Sequence, residues 1–369
     1  MKFKLPNIQK TVITSEMVAN RNCENFIGAT QVPIGIAGPL KFKIQNSKFK
    51  NYYLPLATTE GALVASVNRG CKATSLSGGI NTFVEEVGVS RGPLFKVKNL
   101  AQGRRLIDFV KKNKEKLTKV VSQNEPFIKL VEITDQQVGK NVWLRFSFES
   151  GEAMGMNMAT VACQRIADYI EEKLAISCFS LSGNFCVDKK PSWLNFIKGR
   201  GKKVWAEAII KRSIVTEVLK TTPEKIVQIV LKKSQLGAIV SGSMAFNSHF
   251  ANILAAIFLA TGQDLAHVTE GSLGITEAEL EGNGDLYFSV YLPDLMVGTI
   301  GGGTGLPTQK EALGILGLDR VKTGDGLVLA QIVAAAVLAG ELSLTAALSA
   351  GHLARAHQKL GRGIKNDKS

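Results

Sequence analysis

Paired cysteines are missing from this chain. Its five cysteines, Cys23, Cys71, Cys163, Cys178 and Cys186, are scattered, odd in number and without a Cys-x-x-Cys spacing, which argues against a disulfide framework and for reduced thiols. Histidine is almost as scarce. His249, His267, His352 and His357 show no His-x-x-x-His spacing, and on a helix five residues would turn His357 about 140° away from His352. No metal site is expected. Long apolar runs are lacking too: Phe250–Thr261 and Leu327–Leu338 are the longest and fall short of the ~20 residues of a membrane span, so they read as buried helices. Residues 1–12 are polar and basic, without the apolar centre of a signal peptide. The expected location is cytoplasmic, with no membrane association. The net charge of +14 is spread without aromatic-interleaved basic tracts, so solvated faces and attraction of phosphorylated small molecules are favoured over nucleic acid.

What the sequence does have is glycine-rich punctuation and charges set among apolar residues. Its 369 residues, 45% hydrophobic and 21% charged, suffice for a large core and more than one domain. Ser182-Gly183-Asn184-Phe185-Cys186-Val187-Asp188-Lys189-Lys190-Pro191 puts three charges between apolar flanks. Alone, such a triplet reads as an exposed turn. Between these flanks it predicts a partly buried loop whose desolvated lysine, beside an aspartate, can hold a carboxylate or an oxyanion.

Residues 1–23 read as a polar, partly helical arm. Ala57–Gly70 reads as a helix with a threonine cap, Glu60 in the first turn and Gly70 at the end. Glu60 there suits the helix dipole, while the small residues Gly61, Ala62, Ala65 and Ser66 allow a ligand to come close, with Arg69 and Lys72 placed to meet a phosphate. From 80 to 180, strand-like Thr82–Val87, helical Leu100–Val120, strand-like Pro126–Ile133 and Val142–Phe148 and helical Met158–Leu174 predict a small α+β insert. Within it, Glu149–Thr160 joins a strand to a helix start, a junction that aims N–H groups at an anion. Leu236–Thr261 is apolar around Asn247, His249 and Asn252, and ends at Gly262-Gln263-Asp264. Asp264 is either a satisfied core group or a site group. Residues 286–300 read as a strand and 326–360 as a long Ala-rich helix carrying Glu341, Ser343, His352 and His357, the last suited to a closing flap with a proton to give.

Taken together, Glu24–Gly28, Val32–Leu40, Ala57–Lys72, Gly151–Thr160, Ser182–Pro191, Gly199–Lys202, Asn247–Asp264, Val297–Thr304 and Gly340–His357 make the chain resemble class I 3-hydroxy-3-methylglutaryl-CoA (HMG-CoA) reductase. The resemblance implies an α+β fold: an N-terminal helical arm (1–25), a large helix-rich substrate-binding domain (26–91 and 181–369) and an inserted small ferredoxin-like dinucleotide-binding domain (92–180). It implies NADPH-dependent reduction of HMG-CoA to mevalonate and free CoA. In these roles Lys189 stabilises the oxyanion, Glu60 passes protons, Asp264 bonds both, and His357 protonates the departing thiolate. Ser182, Arg91, Asp188, Lys190, Lys233, His249 and Asn252 would hold the HMG portion, and Ser66, Asn68, Arg69 and Lys220 would face CoA. Glu152, Met154, Gly155, Met156 and Asn157 would cradle the dinucleotide. The family's active sites lie between subunits, so an obligate homodimer is expected, or two such dimers paired into a homotetramer. Three features depart from familiar members. Asn124-Glu125-Pro126-Phe127 has an acid where NADPH users often carry Ser-Arg, which leaves NADH as the alternative to NADPH. A membrane anchor before the catalytic part is not expected. Gly363 occupies the position of the animal enzymes' regulatory serine.

Overall fold

The structure, a computed structural model, describes residues 4–18, 22–123 and 125–351. His352, His357 and Gly363 lie outside them, as does Asn124. Among the described residues, eleven strands run in chain order: β1 Ile34–Lys43, β2 Phe49–Ala57, β3 Ile80–Arg91, β4 Leu94–Lys96, β5 Lys129–Val138, β6 Asn141–Glu149, β7 Cys178–Ser180, β8 Arg200–Ile210, β9 Ala245–Phe246, β10 Gly274–Leu280 and β11 Leu286–Leu295. They form two connected layers. The larger is ordered β2-β1-β3-β8-β11-β10-β9, antiparallel except for short parallel pairings at β1–β3 and β10–β9. The smaller is β7-β4-β6-β5, wholly antiparallel.

One strand serves both layers. β3 pairs with β8 as far as Gly88 and with β6 from Val89 onward. Gly88 sits at φ +82, and a Cβ there would stand 2.7 Å from the Phe148 carbonyl oxygen. The resulting bulge bends the strand from one layer into the next. Each layer has its own core: Leu40, Leu54, Val204, Phe288 and neighbours in one, Leu106, Leu144, Phe146, Ile166 and neighbours in the other.

The helix Asp325–Ser349 runs through the larger core. It is long and apolar enough to cross a membrane by composition, yet 83% of its most apolar window is buried inside the fold. A helix apolar on every side is buried, and this one is a core helix. Small residues let its neighbours approach. Gly70, expected to end a helix at 57–70, instead lies buried in the middle of one spanning Leu63–Leu76, where an added Cβ would stand 1.8 Å from the Ala339 carbonyl oxygen. Close packing therefore explains this glycine, and Ala57 is the last residue of β2. The single helix expected at 100–120 is two, Leu100–Lys112 and Lys114–Ser122, separated at Asn113. The apolar stretch 236–261 is likewise broken by Gly242 and β9 before the helix Phe250–Thr261.

Candidate active site

The 182–191 loop is held in a conformation that its sequence alone would not choose. Asn184, Val187 and Lys189 all have positive φ (67°, 50° and 56°), which costs of order 1–3 kcal/mol each for non-glycine residues. Tertiary bonds impose it. Gly183 N–H donates to Gly92 O at 2.7 Å, Asn195 Nδ2 donates to Val187 O at 3.1 Å, and Lys189 N–H donates to Glu270 Oε1 at 3.2 Å. Under the loop lies a charge network built on a fully buried Arg200–Glu270 pair. The Arg200 guanidinium donates to Glu270 Oε1 at 3.0 Å, to Asp188 Oδ1 at 2.8 Å and to Ser90 Oγ at 3.1 Å, and Arg200 and Glu270 side chains are both 0% exposed. Arg91 adds an ion pair to Asp188 at 3.8 Å and donates to Thr160 Oγ1 at 2.9 Å. Asp188, His267 and Glu270 offer ligand atoms within 4.8 Å of one another, but Arg200 bonds both carboxylates and Arg91 adds a second positive charge at Asp188, so the two negative charges are already matched by two positive ones.

Above this network, Lys189 Nζ meets Asp264 Oδ2 at 2.8 Å. Asp264 also caps the turn Leu265–His267 by accepting the Ala266 N–H at 3.0 Å. Burial pushes the Asp264 carboxyl up, but the bonds from Lys189 and Ala266 and the nearby His267 and Lys189 charges outweigh it and hold it below the usual carboxylate range. The lysine is less desolvated than the apolar flanks suggested: Lys189 and Asp264 side chains are 40% and 37% exposed. Ser182 and Lys190 beside them are exposed as well.

Glu60 is elsewhere. Its carboxylate accepts from Asn252 Nδ2 at 2.6 Å, and its N–H donates to Thr58 Oγ1 at 2.9 Å. It thus lies in the turn before the Leu63–Leu76 helix. His249 joins this second cluster: its Nε2 lies 2.9 Å from Gly340 O, and its N–H donates to Glu341 Oε2 at 3.0 Å. Buried Glu341 also accepts from Ser248 N–H and from Thr276 Oγ1. Asn252 stands in the first turn of Phe250–Thr261 and Asp264 just beyond its last, so roughly 14 Å of helix axis separates the clusters. Among the described residues of one chain, Asp264 therefore bonds Lys189 and not Glu60.

The remaining expected residues divide the same way. Ser66 Oγ and Arg69 Nε both donate to Ser343 Oγ at 3.0 Å, and Arg69 Nη2 donates to Ser343 O at 2.6 Å. Asn68 Oδ1 accepts the Gly38 N–H at 2.9 Å. Lys233 is exposed on a widened π-helical stretch, Val230–Gly237, and Lys220 is exposed at φ 61 after a second one, Val215–Leu219. Such stretches often mark functional sites.

In the strand-to-helix junction, Gly155 at φ +93 precedes the helix Met156–Leu174 without a side-chain cap, so its first-turn N–H groups stay open to an anion. Asn157 lines a groove of about 890 Å³ together with Asn22, Thr299, Gly301, Gly302 and Thr304. Met154 backbone packs against Gly298, and Met156 Sδ accepts from Arg200. The Glu152 carboxylate accepts Gly324 N–H at 2.6 Å and Gly326 N–H at 2.5 Å. It anchors the head of the Asp325–Ser349 helix, where the dipole favours an anion.

Arg200, His267, Glu270 and Glu341 were not singled out as site residues from the sequence. Arg200 had one signal, a charge between two glycines at the head of an apolar strand. The others had a weaker one, acid or histidine inside apolar segments.

The matching family model is that of hydroxymethylglutaryl-coenzyme A reductase, over residues 1–362. The 3-hydroxy-3-methylglutaryl-coenzyme A reductase of Pyrococcus abyssi is 50% identical over 365 residues, covering 98% of this chain and 89% of its own. That of Aeropyrum pernix is 50% identical over 364 residues, covering 97% and 86%. Among solved structures, the class II enzyme of Streptococcus pneumoniae bound to NADPH superposes with a TM-score of 0.70 at 20% identity, covering 88% of this chain and 87% of that one, which speaks for the fold alone. Half-identical along nearly its whole length to named reductases, and distant in sequence from the class II structure, the chain belongs to the hydroxymethylglutaryl-coenzyme A reductase family, in its class I branch.

Proposed function

We propose that the protein reduces the HMG-CoA thioester in two NADPH-dependent steps to mevalonate and free CoA, supplying the mevalonate route to isoprenoids. The observation that carries this reading is the Lys189–Asp264 pair, set at 2.8 Å in a strained loop over a buried Arg200–Glu270 pair. An ammonium held by a carboxylate that stays ionised is a preorganised donor for an oxyanion. In this reading Lys189 bonds the thioester oxygen as charge builds there, Asp264 aims Lys189, and Glu60 moves protons to and from that oxygen. His357 protonates the leaving thiolate. Ser182, Arg91, Lys190 and Lys233 hold the HMG carboxylate with Asp188, His249 and Asn252 on its hydroxyl side, and Ser66, Asn68, Arg69 and Lys220 border the CoA path.

The separation of Glu60–Asn252 from Lys189–Asp264 supports a site completed by a second copy, one chain supplying each cluster, and hence a homodimer or a pair of dimers. Residues 92–180 act as the dinucleotide-binding insert; the strand order β7-β4-β6-β5 from a β-α-β-β-α-β chain, characteristic of ferredoxin-like domains, and the separate core support this. The open helix start at Gly155 and the groove at Asn157 suit a pyrophosphate. The bound nicotinamide cofactor supplies the reducing equivalents; the chain's part is to hold and orient it. NADPH is the proposed cofactor and the cytoplasm the proposed location. Glu125 favours NADH as the second reading, because an acid near the ribose repels a 2′-phosphate, and Lys129, which could have answered it, is paired with Glu149 at 3.6 Å.

The test is nicotinamide absorbance with purified protein and HMG-CoA, with NADPH and NADH in parallel. Oxidation of two cofactors per HMG-CoA, faster with NADPH, is expected. Faster turnover with NADH changes the cofactor alone; no turnover with either sinks the enzyme reading.

A further inference from the structure

His267 is completely buried between two carboxylates. Its Nδ1 lies 2.6 Å from Glu270 Oε1 and its Nε2 3.6 Å from Asp264 Oδ2. The same Glu270 oxygen accepts from Arg200 and from the Lys189 N–H. One atom therefore fixes the imidazole from behind and the backbone of the proposed oxyanion donor from below. With Nδ1 donating to Glu270, Nε2 is left facing Asp264 and has no hydrogen-bond partner. We propose that His267 is a positioning residue that ties Asp264 to the buried Glu270–Arg200 pair and sets the charge of the Lys189–Asp264 pair. This rests on the reading that Lys189 and Asp264 carry the reduction.

The other charged groups around the ring are accounted for. Asp188 and Lys189 come from the loop, Arg200 from β8 and Asp294 from β11. Burial holds the Asp294 carboxyl well above the usual range, against the pull of Arg200. Glu270 is neutralised by Arg200. His267 is thus the group that joins Asp264 to the buried Glu270–Arg200 pair from behind. A carboxylate held low stays charged above its own pKa and is lost as pH falls through it. Removing a group that holds Asp264 low moves that loss to higher pH.

The experiment compares kcat and KM for HMG-CoA across pH in the wild type and in His267→Gln, His267→Ala and Glu270→Gln. In His267→Gln the acid limb of kcat is expected to move up by about one pH unit, roughly a tenfold loss on that limb, while KM stays within about twofold. Glu270→Gln keeps the ring and moves the limb the same way, and added imidazole restores His267→Ala. An acid limb that stays in place in every active variant overturns the proposal, as does a loss of kcat by one factor at all pH, the mark of a merely structural role. A wild type inactive on HMG-CoA overturns the function reading together with it; an active wild type with an unmoved limb overturns this inference alone.

Discussion

Replacing Arg200 with methionine tests the buried network directly. Arg200→Met removes the guanidinium partner of Glu270, whose side chain is 0% exposed, and one partner of Asp188, which is 21% exposed and keeps Arg91. Breaking a buried pair from one side costs about 3–5 kcal/mol, because an uncompensated charge is left in a low dielectric. For a chain of 369 residues, with an unfolding entropy of roughly 2.1 cal/mol/K per residue, that lowers Tm by roughly 4–6 °C. Glu270→Gln in the same chain removes the stranded charge yet keeps an acceptor for the Lys189 N–H. The double variant is therefore expected to regain at least half of the lost stability. Denaturant and thermal unfolding of the wild type, both single variants and the double variant give the cycle. A single-variant cost under about 1 kcal/mol, or a double variant no more stable than Arg200→Met, would refute the buried-pair reasoning. Turnover should fall in Arg200→Met beyond what the folded fraction explains, since the loop that aims Lys189 hangs from Glu270.

Glu152→Ala strips the acceptor from the Gly324 and Gly326 N–H groups at the head of the core helix; a loss of about 1–2 kcal/mol and faster amide exchange at 324–326 are expected, and unchanged exchange there would contradict the assignment. Burial pushes the Cys71 thiol up to about 12 and Cys163 well above its ordinary value. A thiol held high stays protonated and unreactive until pH approaches it. A thiol reagent at mildly alkaline pH should therefore label exposed Cys23 first and half-buried Cys178 slowly, with buried Cys71, Cys163 and Cys186 reacting only after unfolding; five thiols reacting at one rate in the native protein would show the cores to be open.

The sequence by itself determined the family, the mixed α+β class and the residue types at the proposed site, because these live in local runs. Gly and Pro spacing, apolar periodicity and short charged motifs are all read within a few residues of one another. The Lys189–Asp264 pair was also within reach, since both residues stand in recognisable motifs. Partnership at long range was decided only by the tertiary structure. Arg200 meets Glu270 across 70 residues, Glu60 meets Asn252 across 192, and Glu152 meets Gly324 across 172. No periodicity reports such contacts. Gly70 looked like a helix end because glycine often is one; the approach of Ala339 made it a packing residue instead. That Glu152 anchors a helix head 172 residues away is likewise visible only in the fold. Whether a charge is exposed, paired or stranded depends on what the fold brings over it, and that sets both its energy and its chemistry.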